Sequence, residues 1–357
     1  MKAKIISAVL LTICFGWLAL LSGAIPVMAG SSASGEVSAP ESAAAGEALQ
    51  DTVRESEPDA VTDETEEAGG GETAATGTEE PESSSEESAP EPEAPPSEEE
   101  SEPVPAVAAL TITGDLMDND TYYEEDPESL LSRGVSLRLP AEGYQILIIH
   151  THTTEAYTPT EGDEYESSEA DDLRTTDPEH NVVLVGEELA RTLSDCGLNV
   201  LHDTGIYDYP SYNGSYARSG TAIEEYLAAY PGIRIVIDLH RDSIGEGDTV
   251  YKTSADIDGV ECAQVMLVMG TDENLEHPGW RDNLAAALAI QTAVARRYPF
   301  LMRPLSLCSY RYNQQLTPGS MLLEVGTSGN TLDEALEAVR RFGEIAGPVM
   351  ASWIDEE

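Results

Sequence analysis

Between residues 30 and 105 the chain carries 23 acidic residues against the single Arg54, and it has almost no aromatic or large aliphatic side chains there. A segment of that composition cannot bury enough apolar surface to offset the entropy lost on ordering. It is expected to be a disordered, self-repelling acidic tether, a solvating spacer before it is a docking site. That expectation confines the folded core to the residues beyond 105, about two thirds of the 357 in the chain.

Residues 5 to 29 form an apolar run without a charge, long enough at about 1.5 Å per residue to cross a hydrocarbon layer of about 30 Å. Lys2 and Lys4 precede it and acids follow it, so the reading is a cytoplasmic start and a single-pass membrane anchor over 1–29, with the remainder outside. The small residues around Ala29 and Gly30 also suit signal cleavage, which exports the remainder equally. With the tether (−22) and the two lysines (+2) set apart from the total of −49, residues 106 onward carry a net charge of about −29. That balance excludes nucleic acid and anionic polymers as partners chosen by bulk charge. Cys14 lies in the apolar run; Cys196, Cys262 and Cys308, with apolar neighbours, read as small core residues, a single disulfide being the lesser alternative.

From residue 144 short apolar runs alternate with amphipathic stretches, the pattern of one α/β domain over 144–357 with a mostly parallel or mixed sheet covered by helices. YQILIIH reads as a buried strand ending at His150, and 182 to 197 as a helix with Val185, Leu189 and Leu193 on one face and Gly197 as its stop. LNVLHD is a second strand. A helix over 219 to 232, capped by Ser219 or Thr221, leads into IRIVIDLH, a strand ending at His240. QVMLVMG is the next strand, then come the longest helix before Pro299, a strand near Glu324, and a last helix from Leu332. Residues 106–143 read as an adaptor between tether and domain.

Three of these strands end in metal-binding or acid–base residues: His150, His152 and Glu155; His240 and Asp242; Glu324. In open α/β sheets ligands bind outside the carboxyl ends of strands. His152 and Glu155 form an HxxE spacing in a turn, and with a distant His240 they make a His, Glu, His set that leaves zinc an open position, the arrangement of hydrolytic sites. His150 is the alternative ligand position; otherwise it is a buried polar residue with a backbone partner. Glu324, in an apolar strand, is the candidate general base and acid. Arg241 is a candidate to polarise a carbonyl, and Asp242 to orient an imidazole. His180 and His277 read as surface residues and His202 stays undecided. The tyrosines of 207 to 216 suit either a substrate groove or a packed loop.

Five segments in order, ILIIHTHTTEAY, NVVLVGEELARTL, SYNGSYARS, IVIDLHRDSIG and LLEVGTSGNTLDEA, resemble the signature segments of the stage II sporulation protein P family over roughly residues 140 to 350. The resemblance implies a zinc amidase fold and cleavage of the amide between N-acetylmuramic acid and L-alanine in peptidoglycan, with stem-peptide endopeptidase activity beside it. It implies partnership with the stage II sporulation M and D proteins during forespore engulfment, on a chain anchored in the cell membrane with its catalytic domain in the intermembrane space. Carried over, His152, Glu155 and His240 bind zinc and Glu324 is catalytic, with His150 still open as a ligand. Two other readings stand beside it: a zinc carboxypeptidase or endopeptidase, for which Arg241 or Arg311 offers a carboxylate clamp, and a catalytically silent wall-binding organiser.

Overall fold

The structure, a computed structural model, describes residues 106–162, 164–168, 173–246 and 249–355. The expected anchor and tether lie outside them. No helix among the described residues is long and apolar enough to cross a membrane.

In chain order the elements are β1 (Ala106–Leu110), β2 (Met117–Asn119), α1 (Pro127–Arg133), β3 (Ile146–Ile149), α2 (Val182–Asp195), β4 (Val200–His202), α3 (Ser215–Ala229) and β5 (Ile235–Asp242). Then come β6 (Gly245–Glu246), β7 (Thr249–Ile257), β8 (Val260–Ala263), β9 (Val265–Gly270), α4 (Trp280–Arg297), β10 (Leu305–Cys308), β11 (Met321–Thr327) and α5 (Leu332–Ala351). The main sheet has seven strands in the order β2-β10-β9-β11-β5-β3-β4. Strands β11, β5, β3 and β4 are mutually parallel, as are β9, β10 and β2, and the two blocks meet antiparallel at β9 and β11. The expected mixed α/β sheet is therefore present. A four-stranded sheet joins β1, β7, β6 and β8.

Side-chain alternation decides which helices cover which face. On β5, Ile235, Ile237 and Leu239 point into the larger core, with Val185, Leu189 and Leu193 of α2 and buried residues of α4 and α5. Burying each such aliphatic side chain contributes about 1.5–3 kcal/mol relative to exposure. Val236, on the opposite face, packs with Leu147, Ile149 and Ile223 beneath α3. Helix α2 begins where the Asn181 side chain accepts the Val183 N–H and ends before Gly197 at φ 87°, a left-handed stop that suits glycine. A capping box of Thr331 and Glu334 starts α5.

Four expectations need correction. Residues 106–143 are not a separate adaptor: β1 pairs with β7, β2 pairs with β10, and the three elements belong to the same compact unit as the rest. Helix α3 begins at Ser215, a turn early, because left-handed Gly214 ends the preceding loop; Ser219 is buried inside it. Among the described residues the longest helix is α5, with 20 residues against 18 in α4, since it continues through Pro348. His277 is buried, its carbonyl accepting the Trp280 N–H and drawing it into the start of α4, and burial pushes its imidazole down to about 4. Cys196 and Cys262 are free thiols, Cys262 fully buried and Cys196 partly so, and Cys308 is likewise only partly buried.

Candidate metal centre

The site is assembled at the carboxyl ends of β3, β5 and β11. The Glu155 N–H donates to the His152 carbonyl at 3.1 Å, closing a turn that turns both side chains to one side. Glu155 Oε1 then lies 3.4 Å from His152 Nδ1, and Oε2 lies 3.3 Å from Nδ1 of His240 on β5. One ligand atom each from His152, Glu155 and His240 lies within 4.8 Å of the others, so the three can hold a metal ion.

The surrounding residues fix these three side chains. The Arg241 backbone N–H donates to Glu155 Oε2 at 3.1 Å, and the Arg174 guanidinium is 3.5 Å from Oε1. Burial alone raises the Glu155 carboxyl, but His240, His152 and Arg241 outweigh it and hold the group well below the usual carboxylate range. Behind His240, Asp238 Oδ1 is 2.9 Å from Nε2, an ion-pair approach without hydrogen-bond alignment. The Asp238 oxygens accept the Thr151 N–H at 2.8 Å and its hydroxyl at 2.7 Å. Burial disfavours a charged His240, yet Asp238 and Glu155 hold it well above the ordinary histidine range. Two carboxylates facing one imidazole make a pocket suited to a cation. Imidazole and carboxylate donors with a carboxylate behind one ring fit the donor chemistry of zinc.

Glu324 on β11 is in register with His240, so both rise from the same face of the sheet. The pairing with β5 shifts register just after Glu324; such irregularities re-aim side chains beside active sites. Its Oε2 is enclosed without a partner, and burial, reinforced by the nearby Asp242 carboxylate, raises the carboxyl to about 8.

The structure does not bring every expected residue to the cluster. His150, the alternative ligand position, stands apart from the cluster, because β3 ends at Ile149 and the turn that follows separates it from His152. Its Nδ1 is 2.9 Å from the Leu239 carbonyl and its Nε2 is 2.9 Å from His202 Nε2, so both ring nitrogens are engaged in the core. Burial, with His202 beside it, pushes His150 down to about 3. Arg241 points off the opposite face from His240, and its guanidinium donates to the carbonyls of Ala156 (2.9 Å) and Leu173 (2.8 Å). Asp242 pairs with Arg303 at 2.7 Å rather than with an imidazole. Sequence reasoning missed Asp238, although an acid two residues before His240 in an apolar strand is a readable signal. It also missed Arg174 and Asp208, paired at 2.8 Å, which no local spacing announces. His180 is half-buried and bonds Asp177 at 3.0 Å.

A family model, stage II sporulation protein P, matches residues 19–346. The chain belongs to the stage II sporulation protein P family. It is 28% identical over 211 residues to the stage II sporulation protein P of Bacillus subtilis (strain 168), a match covering 56% of this chain and 49% of that protein. The chain thus spans about half the length of that curated relative. Among solved structures, this family member is similar to the N-acetylmuramoyl-L-alanine amidase AmiC2 of Nostoc punctiforme, at 14% identity and a TM-score of 0.36 over 59% of this chain and 98% of that one. It is also similar to the CwlD amidase from Clostridioides difficile in complex with the GerS lipoprotein, at 10% identity and a TM-score of 0.37 over 58% and 98%.

Proposed function

We propose that this chain is a zinc-dependent N-acetylmuramoyl-L-alanine amidase that cuts stem peptides from peptidoglycan during sporulation. The observation that carries the reading is the convergence of His152, Glu155 and His240 beside Glu324, whose carboxyl is raised to about 8. Family membership supports the wall substrate and the sporulating cell. On the same family grounds the chain works at the membrane with the stage II sporulation M and D proteins.

His152, Glu155 and His240 would hold the ion, whose chemistry is to polarise a carbonyl and make water more acidic. Asp238 orients the His240 ring, and the Arg241 N–H fixes Glu155. Glu324 Oε2 is the atom that handles the proton. As a carboxylate it accepts a proton from the attacking water; oxygen joins the carbonyl carbon, the C–N bond breaks, and the same proton leaves with the amine nitrogen. Beside a bound cation Glu324 ionises more readily, which brings that carboxylate toward neutral pH.

The carboxypeptidase reading needs an arginine free to clamp a terminal carboxylate, and the Arg241 guanidinium is held by two carbonyls. The test is mass spectrometry of peptidoglycan digested by the full chain with zinc, with chelator, and with Glu324→Gln. Intact stem peptides with a free L-alanine amine are expected, lost on chelation and reduced about 10²–10⁴-fold by the substitution. Cuts only within the peptide would assign the site to an endopeptidase. No product from zinc-loaded chain, even with the partner proteins added, would leave the silent organiser.

A further inference from the structure

A line of tyrosine rings leads away from the candidate metal centre. Tyr216 meets His152 edge-on at 5.5 Å, Tyr312 lies 5.7 Å from Tyr216, and Tyr310 lies 6.3 Å from Tyr312. The last is 47% exposed, so the line runs from the buried ligand to open solvent.

The segment that carries the outer two rings is held in an unusual shape. Tyr312 and Asn313 are consecutive non-glycine residues in the left-handed region, at φ 46° and 58°. Such conformations persist where the surroundings over-determine them, and they cluster at functional sites. Here the surroundings are explicit. The Gln314 side chain accepts the Gly270 N–H and donates to the Val268 carbonyl, both at 2.9 Å. Asn313 Nδ2 donates to the Tyr216 carbonyl at 2.8 Å and to Ser219 Oγ at 3.3 Å. Two glycines make room: a Cβ on Gly270 would collide with the Tyr310 carbonyl, and one on Gly220 would stand 3.1 Å from Asn313. The strap is therefore tied at once to β9 and to α3, and its product is the position of the rings.

The chemistry of the line selects its occupant. A tyrosine presents an apolar face with a hydrogen-bonding tip and no charge at neutral pH, which matches the C–H face and hydroxyl rim of a pyranose. A stem peptide bearing carboxylates calls instead for arginine. The arginines beside the cluster are engaged, Arg174 by Asp208 and Glu155, Arg241 by backbone carbonyls. Arg311, between the two outer tyrosines, donates to the Glu276 carbonyl at 2.7 Å.

We propose that Tyr216, Tyr312 and Tyr310 form a saccharide subsite that seats the glycan strand, so that the sugar bearing the scissile amide is delivered to the metal centre. This deepens the amidase reading and rests on it for the identity of the substrate. The test uses the full chain carrying Glu324→Gln, which blocks turnover, titrated calorimetrically with peptide-free oligomers of the glycan strand and separately with free stem peptide. Tyr310→Ala is expected to weaken glycan binding about tenfold, the loss of one stacked hot-spot ring. It should leave stem-peptide affinity unchanged, and Tyr310→Trp should bind glycan as tightly as the parent. Absence of glycan binding in the parent, equal glycan affinity in parent and alanine variant, or weakened peptide binding would each overturn the proposal. Zinc content and wall cleavage of the unsubstituted chain are read separately, so a failure of the amidase reading is distinguishable from a failure of the subsite.

Discussion

Glu324 lies within an apolar strand with one carboxylate oxygen enclosed and unpartnered, and this makes a stability prediction of definite sign. Its carboxyl ionises near 8 in the fold, against the ordinary glutamate value of 4.5 in an unfolded chain, so the folded chain binds the proton more tightly. The contribution of Glu324 to stability must therefore fall as pH rises from about 4.5 to about 8. Glu324→Gln removes that loss: at pH 7 the metal-free variant is expected to be more stable by on the order of 2 kcal/mol, roughly 5 °C in melting temperature. The gain should vanish near pH 4, and a variant that melts lower than the parent at pH 7 contradicts the argument. Asp238 is the second residue to test. It touches His240 on the side away from Glu155, so Asp238→Asn is expected to weaken zinc binding 10–100-fold in a competition titration. Unchanged affinity would reduce Asp238 to an anchor for Thr151.

Among the elements, α2 approaches the sheet through Gly186. A Cβ there would sit 2.6 Å from the His150 ring and 2.7 Å from His202 Nε2. Gly186→Ala should thus cost about 1–3 kcal/mol by overpacking, despite alanine's better helix propensity, as read by denaturant melts. The elements also show what was legible. β5 and β11 could be read because apolar runs bounded by turn residues leave few alternatives, and the HxxE spacing pointed to two of the three residues that cluster, His152 and Glu155. β7, β8 and β10 were not read, since each is short or lacks a clean alternation. The direction of Arg241 was not legible either. Adjacent strand residues point to opposite faces, but which carbonyls wait there depends on the segment around Leu173, remote in sequence.

At the scale of the whole molecule, the first elements close the edges of both sheets: β1 adds to β7, and β2 to β10. A truncation beginning at residue 144 removes both strands and α1, which packs against α4. Such a truncation is expected to melt well below a fragment beginning at 106, and comparable melting would show these elements to be accessory. That boundary was misread because 106–143 carries only short apolar runs, whose partners lie more than a hundred residues later.

The position of β11 has a further consequence in time. Among the described residues it is the last strand in chain order, yet it lies mid-sheet between β5 and β9, and it brings Glu324 alongside His240. A chain still leaving the ribosome holds His152, Glu155 and His240 but cannot close the sheet or place Glu324, because the insertion awaits residues 321–327. The three clustered residues thus come early in the chain, and Glu324 joins them only once residues 321–327 have been made.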